Sequence, residues 1–281
     1  MRRSLIVLGC MSIAAPALAQ SSLPSSSVHA VPPSRPLPPA ARAQLAPTGT
    51  LRAAINYGNT VLVQRDPTGN EPRGVSPALA RALAARLGVP LTIVPFDAAG
   101  RVTEANLASG GNAWDIAFLA VDPVRGEGIA FTAPYVVIEG IYAVPATSTI
   151  RSNEEVDRPG VRISVGRGSA YDLFLTRAIR QATLVRTDTS ASAISDFAAG
   201  GIDVVAGVGQ PIREFAATRA DVRVLPGRFM VIEHAMAVPR GRDAALAALR
   251  DFVEEEKAFG FVARALAESN QPDAAVASPA R

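Results

Sequence analysis

Few residues in this chain are equipped for covalent chemistry. There is one cysteine, Cys10, and there are two histidines, His29 and His234. That count excludes Cys-rich zinc sites and disulfide frameworks, and it excludes a His-paired Cys nucleophile once a leader carrying Cys10 is removed. The single lysine, Lys257, lies in the run Glu254-Glu255-Glu256-Lys257. Such a run reads as a solvated helix face and argues against Schiff-base chemistry. What remains is binding chemistry, and one string stands out. Gly166-Arg167-Gly168-Ser169-Ala170-Tyr171 follows a short apolar strand and opens a helix. Its glycines permit a tight turn, and Ser169 can cap the helix with Asp172 as capping-box partner. Backbone N–H groups at such a helix start favour an anion. Tyr171 stands where a dinucleotide fingerprint needs its third glycine, and the Gly-Lys-Ser/Thr of a P-loop is missing.

Charge narrows the classes further. The chain has 281 residues with 28 Lys+Arg against 25 Asp+Glu; setting aside Arg2 and Arg3 leaves 26 against 25. A balance that even, with the charges scattered, does not describe a nucleic-acid binder. Met1-Arg2-Arg3, an apolar stretch from Leu5 to Leu18, and Ala17-Leu18-Ala19 before Gln20 read as a secretory signal peptide over residues 1–19. Cys10 allows a lipoprotein reading, which leaves an unusually short apolar stretch before the cut. No second apolar run approaches the ~18 residues of a membrane span. Residues 20–48 are rich in Ser and Pro and read as a disordered tether, with His29 a spacer residue.

The body alternates strand and helix. Leu51 to Ile55 reads as a buried strand, ended by Asn56-Tyr57-Gly58-Asn59, and a turn follows at Asp66-Pro67-Thr68-Gly69. Ser76 is expected to cap a helix with Pro77 at its first position, its apolar face marked by Leu79, Leu83 and Leu87, and Gly88 to stop it. Strands are expected at 91–94, 116–119, 161–165, 184–185, 202–206 and 222–225, with helices between them and two more after Asp243. The tail over 271–281 reads as flexible. This β-α-β-α order argues for an α/β fold with a mostly parallel sheet and helices on both faces.

Several strings, in order, resemble the bacterial periplasmic solute-binding proteins of family 3, which serve amino-acid-type ABC importers. They are Gly49-Thr50-Leu51-Arg52, Ala80 to Pro90, Trp114-Asp115-Ile116, Asp122-Pro123-Val124-Arg125, Ile129 to Tyr135, Arg162 to Ser169 and Gly201-Ile202-Asp203-Val204-Val205. The resemblance implies a two-lobed periplasmic-binding-protein fold of type II-like form, with a hinge of two crossover segments near Val137–Ile141 and Phe229–Ala235. Lobe 1 is then 48–138 plus 235–270 and lobe 2 is 139–234. It implies a monomer that binds a small solute and hands it to a membrane permease, with no cofactor and no nucleic acid.

The resemblance also assigns site residues. Arg125 matches the arginine that forks onto the ligand carboxylate, a task for which a planar guanidinium is suited; an ordinary surface arginine is the alternative. Gly168 and the amides of Ser169 and Ala170 are expected to complete the clamp, with Tyr171 beside them. The chain departs from the family at Asn56, where an Asp is frequent, at Asn59, where an aromatic is frequent, and at Ser76, Phe118 and Ala120. Asn56, Tyr57, Asn59 and Gln210 are therefore expected as polar lining. Asp122, Glu139 and Glu233 are the candidate anions for a cationic ligand group. Trp114 is read as lobe core, and His234 as structural more than ligand-facing. A cyclohexadienyl-dehydratase-like enzyme on this scaffold, with Glu139 or Glu233 as general acid, is the alternative function; a sensory binding module is another.

Overall fold

The structure, a computed structural model, describes residues 36–66 and 71–280. The expected signal peptide with Cys10, the tether up to residue 35 with His29, and residues 67–69 of the expected turn lie outside the described residues. The first half of the fold comprises α1 (Pro39–Leu45), β1 (Leu51–Asn56), α2 (Val75–Leu87), β2 (Leu91–Phe96), α3 (Ala99–Ala108) and β3 (Ile116–Ala120). A 17-residue strand, β4 (Ile129–Pro145), leads into β5 (Arg162–Gly166), α4 (Ala170–Ala178), β6 (Thr183–Thr187), α5 (Ser190–Ala199), β7 (Val204–Val208), α6 (Gly209–Ala217) and β8 (Val222–Val224). The chain returns through β9 (Met230–Pro239) to α7 (Asp243–Ala258), α8 (Phe261–Glu268) and β10 (Ala275–Val276).

The strands hydrogen-bond in the order β2-β1-β3-β9-β4-β7-β5-β6. Two parallel triplets, β2-β1-β3 and β6-β5-β7, flank a central antiparallel pair. Helical crossovers explain the parallel triplets, as each β-α-β step returns the chain in the same direction. The central pair differs from the mostly parallel sheet expected. The chain leaves one half through β4 and comes back through β9, so these two strands must oppose each other. The expected crossovers fall within this pair, where Val137 faces Glu233 and Gly140 faces Met230. The pairing is irregular between Phe131 and Val136, around Pro134, which has no N–H to give the ladder.

Local signals are followed in most places. Leu79, Leu83 and Leu87 are buried on one face of α2, and Gly88 ends it in the left-handed conformation at φ +63°. Ser76, however, does not cap α2. The helix starts two residues earlier, from Gly74 at φ +107°, where an added Cβ would stand 2.4 Å from the Leu62 carbonyl oxygen. The Ser76 hydroxyl instead shares a buried 2.9 Å hydrogen bond with the Tyr135 hydroxyl. Trp114 is fully buried and its Nε1–H donates to the Val102 carbonyl.

Both ends of the body correct the expectation of disorder. Residues 39–45, assigned to the tether, form α1 with Ala41 and Leu45 buried, and Arg242 and Ala245 at the start of α7 bond to Gln44. The tail is tied down by β10 on Val136 and Val137 of β4, and Lys257 donates to the Ser278 carbonyl. Apolar side chains at 41, 45 and 277 supply the burial that composition alone obscured.

Candidate functional site

The carboxyl ends of the parallel strands from both halves converge on one cavity, the place where open α/β sheets bind ligands. At the end of β1, Asn56 accepts a 3.0 Å hydrogen bond from the Gly58 N–H through Oδ1, folding the segment into an Asx turn. A side chain at Gly58 is excluded, as its Cβ would lie 2.3 Å from the Asp97 carbonyl oxygen. Asn56, Gly58 and Asn59 line the cavity, as do Ala98, Ala99 and Ala120 at the ends of β2 and β3. From the other half come Gly166, Arg167, Ser169, Ala170, Tyr171, Ser190 and Val208; β9 supplies Ile232 and His234. The cavity measures about 40 Å³, and a neighbouring one of about 110 Å³ shares Asn59, Tyr171 and Ser190 with it.

Arg125 stands in the short 3-10 turn after β3 and is 4% exposed. Its Nη1 donates to the Ala120 carbonyl and its Nη2 to the Gly168 carbonyl, each at 2.8 Å, so the guanidinium ties the two halves together. Its Nε has no protein partner. Burial pushes its pKa down to about 10, with the field of Asp122 opposing the shift. It remains charged at neutral pH, and among the described residues no carboxylate pairs with it.

The string at 166–171 builds the facing wall. Ser169 caps α4, its Oγ accepting from the Asp172 N–H at 3.0 Å, and Asp172 in turn accepts from the Gly168 N–H at 2.8 Å. One expectation is corrected: the Ser169 N–H donates to the Gly166 carbonyl at 3.1 Å, so its amide is engaged within the turn. The amides of Ala170 and Tyr171 open α4, where helix geometry provides no intrahelical acceptor. Tyr171 is buried and donates to Ser190 Oγ at 2.7 Å, and burial raises its pKa. Gly168, at φ +66°, closes against the other half: a Cβ there would lie 2.7 Å from the Gly100 Cα.

His234 is the residue that sequence reasoning placed on the wrong side of the balance. It is 6% exposed and lines the cavity, with Nε2 3.1 Å from Asn59 Nδ2. Burial, helped by the Arg125 charge, pushes its pKa down to about 3, so the imidazole is neutral. Its Nδ1 and Asn59 Oδ1 are buried without protein partners. Its position at the second crossover was the available signal.

Six expected site residues do not line the cavity; one is Gly168, whose carbonyl is taken by Arg125. Asp122 forms a 2.7 Å ion pair with Arg177 on α4, a second tie between the halves. Glu139 is held by Arg228 and Arg213, chiefly by the Arg228 hydrogen bond, which lowers its pKa. The Glu233 side chain is exposed, while its carbonyl accepts from the Val121 N–H. Tyr57 lies under the Arg65 guanidinium at 4.3 Å, and Gln210 donates to Glu214. The arginines that hold Asp122 and Glu139 are far away in sequence, which is why spacing alone could not exclude these two acids.

Two α/β halves joined by a two-strand crossover, with a cavity between their strand ends, define a bilobed solute-binding architecture. The chain belongs to the bacterial extracellular solute-binding proteins, family 3, whose match spans residues 51–268. Its fold is similar to that of the P235GK mutant of ArgBP from T. maritima, at 21% identity and TM-score 0.69, covering 82% of this chain and 99% of that one. A putative ABC-transporter binding component from Wolinella succinogenes, complexed with lysine, matches at 21% identity and TM-score 0.67 over 79% of this chain and 95% of that one. AncCDT-1, an ancestral amino-acid-binding protein and precursor of cyclohexadienyl dehydratase, matches at 21% identity and TM-score 0.66 over 81% and 98%. No curated protein matches the sequence.

Proposed function

We propose that the protein is the exported solute-binding component of an ABC importer, and that it captures a small carboxylate-bearing solute between its lobes by hinge closure. One observation carries the reading: a charged guanidinium, Arg125, is buried on the cavity wall with no carboxylate of its own. An unpaired buried charge is costly, and a ligand carboxylate relieves that cost by forking onto the remaining N–H groups. The Ala170 and Tyr171 amides at the start of α4 add anion-binding donors from the opposite lobe. Family membership and neighbours bound to amino acids support a solute-binding role and a permease as partner.

Lobe 1 is 48–138 plus 235–270 and lobe 2 is 139–234. The Asp122–Arg177 pair and the Arg125–Gly168 bond cross between them, so both form only when the lobes are together. Residues 1–19 direct export to the periplasm, and the mature monomer begins at Gln20. For the dehydratase alternative, Glu139 is already committed to arginines and Glu233 lies outside the cavity lining. Calorimetry of the mature protein against amino acids, keto acids, hydroxy acids and dicarboxylates tests the reading. Saturable one-to-one binding of a carboxylate is expected; failure of every carboxylate in the panel sinks it.

A further inference from the structure

Resting on the reading of this cavity as a carboxylate site, we infer that its ligand is a small hydroxycarboxylate, carrying a hydroxyl where an amino acid carries its α-ammonium. The lining contains Arg125 and Arg167 and no Asp or Glu, and the adjoining cavity has no acid either. Acids nearby are committed elsewhere: Asp122 to Arg177, Asp172 to Arg186 and the Gly168 N–H, and Asp97 to Arg101. An ammonium in this cavity would be stripped of water beside a buried guanidinium, with no protein carboxylate in the lining and only the ligand's own carboxylate, already shared with Arg125, to compensate it. That arrangement is strongly unfavourable.

The neutral groups specify what replaces it. Asn59 and His234 bond to each other, and each keeps one buried polar atom without a protein partner. If Asn59 Nδ2 donates to His234 Nε2, the imidazole proton sits on Nδ1. The pair then offers one donor, Nδ1–H, and one acceptor, Asn59 Oδ1. If the amide is turned, its oxygen accepts from Nε2–H. The free groups are then the Nδ1 lone pair and the amide N–H, again one of each. A hydroxyl both donates and accepts, and satisfies the pair in either arrangement. A carbonyl only accepts and an ammonium only donates, so each leaves one buried group unmet. The Arg125 Nε–H, also without a protein partner, is left for the carboxylate. Arg125, Asn59 and His234 line the same cavity, which places the carboxylate and the hydroxyl within one small molecule.

The test is calorimetry at pH 7 with matched triplets on the same carbon skeleton: glycolate, glyoxylate and glycine; lactate, pyruvate and alanine; malate, oxaloacetate and aspartate; with arginine and lysine added. The hydroxy acid of at least one triplet is expected to bind at least about tenfold tighter than its amino counterpart, with the oxo acid between them. An amino acid binding as tightly as its hydroxy counterpart, or arginine or lysine binding when no hydroxy acid does, overturns the inference and leaves the carboxylate reading standing. No binding by any carboxylate overturns both. Asn59→Asp, checked for folding by circular dichroism, is expected to shift the hydroxy-to-amino preference at least about tenfold towards the amino acid. An unchanged preference in the folded variant removes Asn59 from the discriminating pair.

Discussion

Replacing Arg125 by methionine keeps much of the side-chain bulk and removes the charge. Two effects on the free protein oppose each other. The fall of its pKa to about 10 means that burying the cation costs about 3 kcal/mol, which the variant no longer bears. Against that, the Ala120 and Gly168 carbonyls lose their donor, at about 1–3 kcal/mol each where they stay dry. The melting temperature is therefore expected to move by only a few degrees. Ligand binding has no such cancellation. The carboxylate loses its charged donors, for about 2–5 kcal/mol, or roughly 30- to 4,000-fold in Kd. Arg125→Lys restores charge without the planar fork and is expected to fall between the two. Calorimetry with the ligand that the wild type binds best, alongside thermal melts, checks both effects. A folded Arg125→Met protein that binds within about threefold of wild type refutes the assignment of the carboxylate to this guanidinium.

Other changes test how the lobes meet and how the site titrates. Gly168→Ala puts a Cβ 2.7 Å from the Gly100 Cα at a position with φ +66°, so at least about a tenfold loss of affinity is expected, with small-angle scattering showing lobes that fail to close. Asp122→Asn removes a half-exposed ion pair that spans the lobes, and an increase of a few-fold in the ligand off-rate, worth about 1 kcal/mol, is expected by stopped-flow. His234 has a native pKa depressed to about 3, so between pH 6.5 and 3 the unfolded chain binds a proton that the folded one refuses. Stability is thus highest above pH 6.5 and falls as pH drops through this window, by on the order of 4 kcal/mol at its acid end. Denaturant titrations of wild type and His234→Gln should diverge there, and parallel curves would show that His234 does not titrate this way. With Arg125 near 10 and His234 near 3, affinity is expected to stay flat from pH 5 to 8 and to fall as Arg125 loses its proton at higher pH.

Much of the scaffold was legible because its signals are local. Leu79, Leu83 and Leu87 mark a helix face by spacing alone, Gly88 ends it, and Ser169 with Asp172 sets the start of α4 within four residues. The order of these elements implied two α/β lobes, and family resemblance placed the crossovers. Of the expected site residues, Arg125, Ser169, Ala170, Tyr171, Asn56 and Asn59 do line the cavity, and Gly168 accepts from Arg125 across it. Three things were not legible. Asp122 and Glu139 looked free until Arg177, 55 positions away, and Arg228, 89 away, were seen to occupy them. Ser76 looked like a cap until Tyr135 took its hydroxyl. His234 looked structural until β9 laid it against the cavity, in register with Ala120.

The chain by itself thus determined its helices, its turns, its two-lobed plan and the arginine that lines the cavity. Each of those depends on contacts within a few residues or on an ordered series of short strings. Which acids are spoken for, and which neutral groups are left over to meet a ligand, was decided only when distant segments packed together. An ion pair or a buried hydrogen bond depends on through-space distance, and the sequence does not carry that distance until the sheet has brought the partners together.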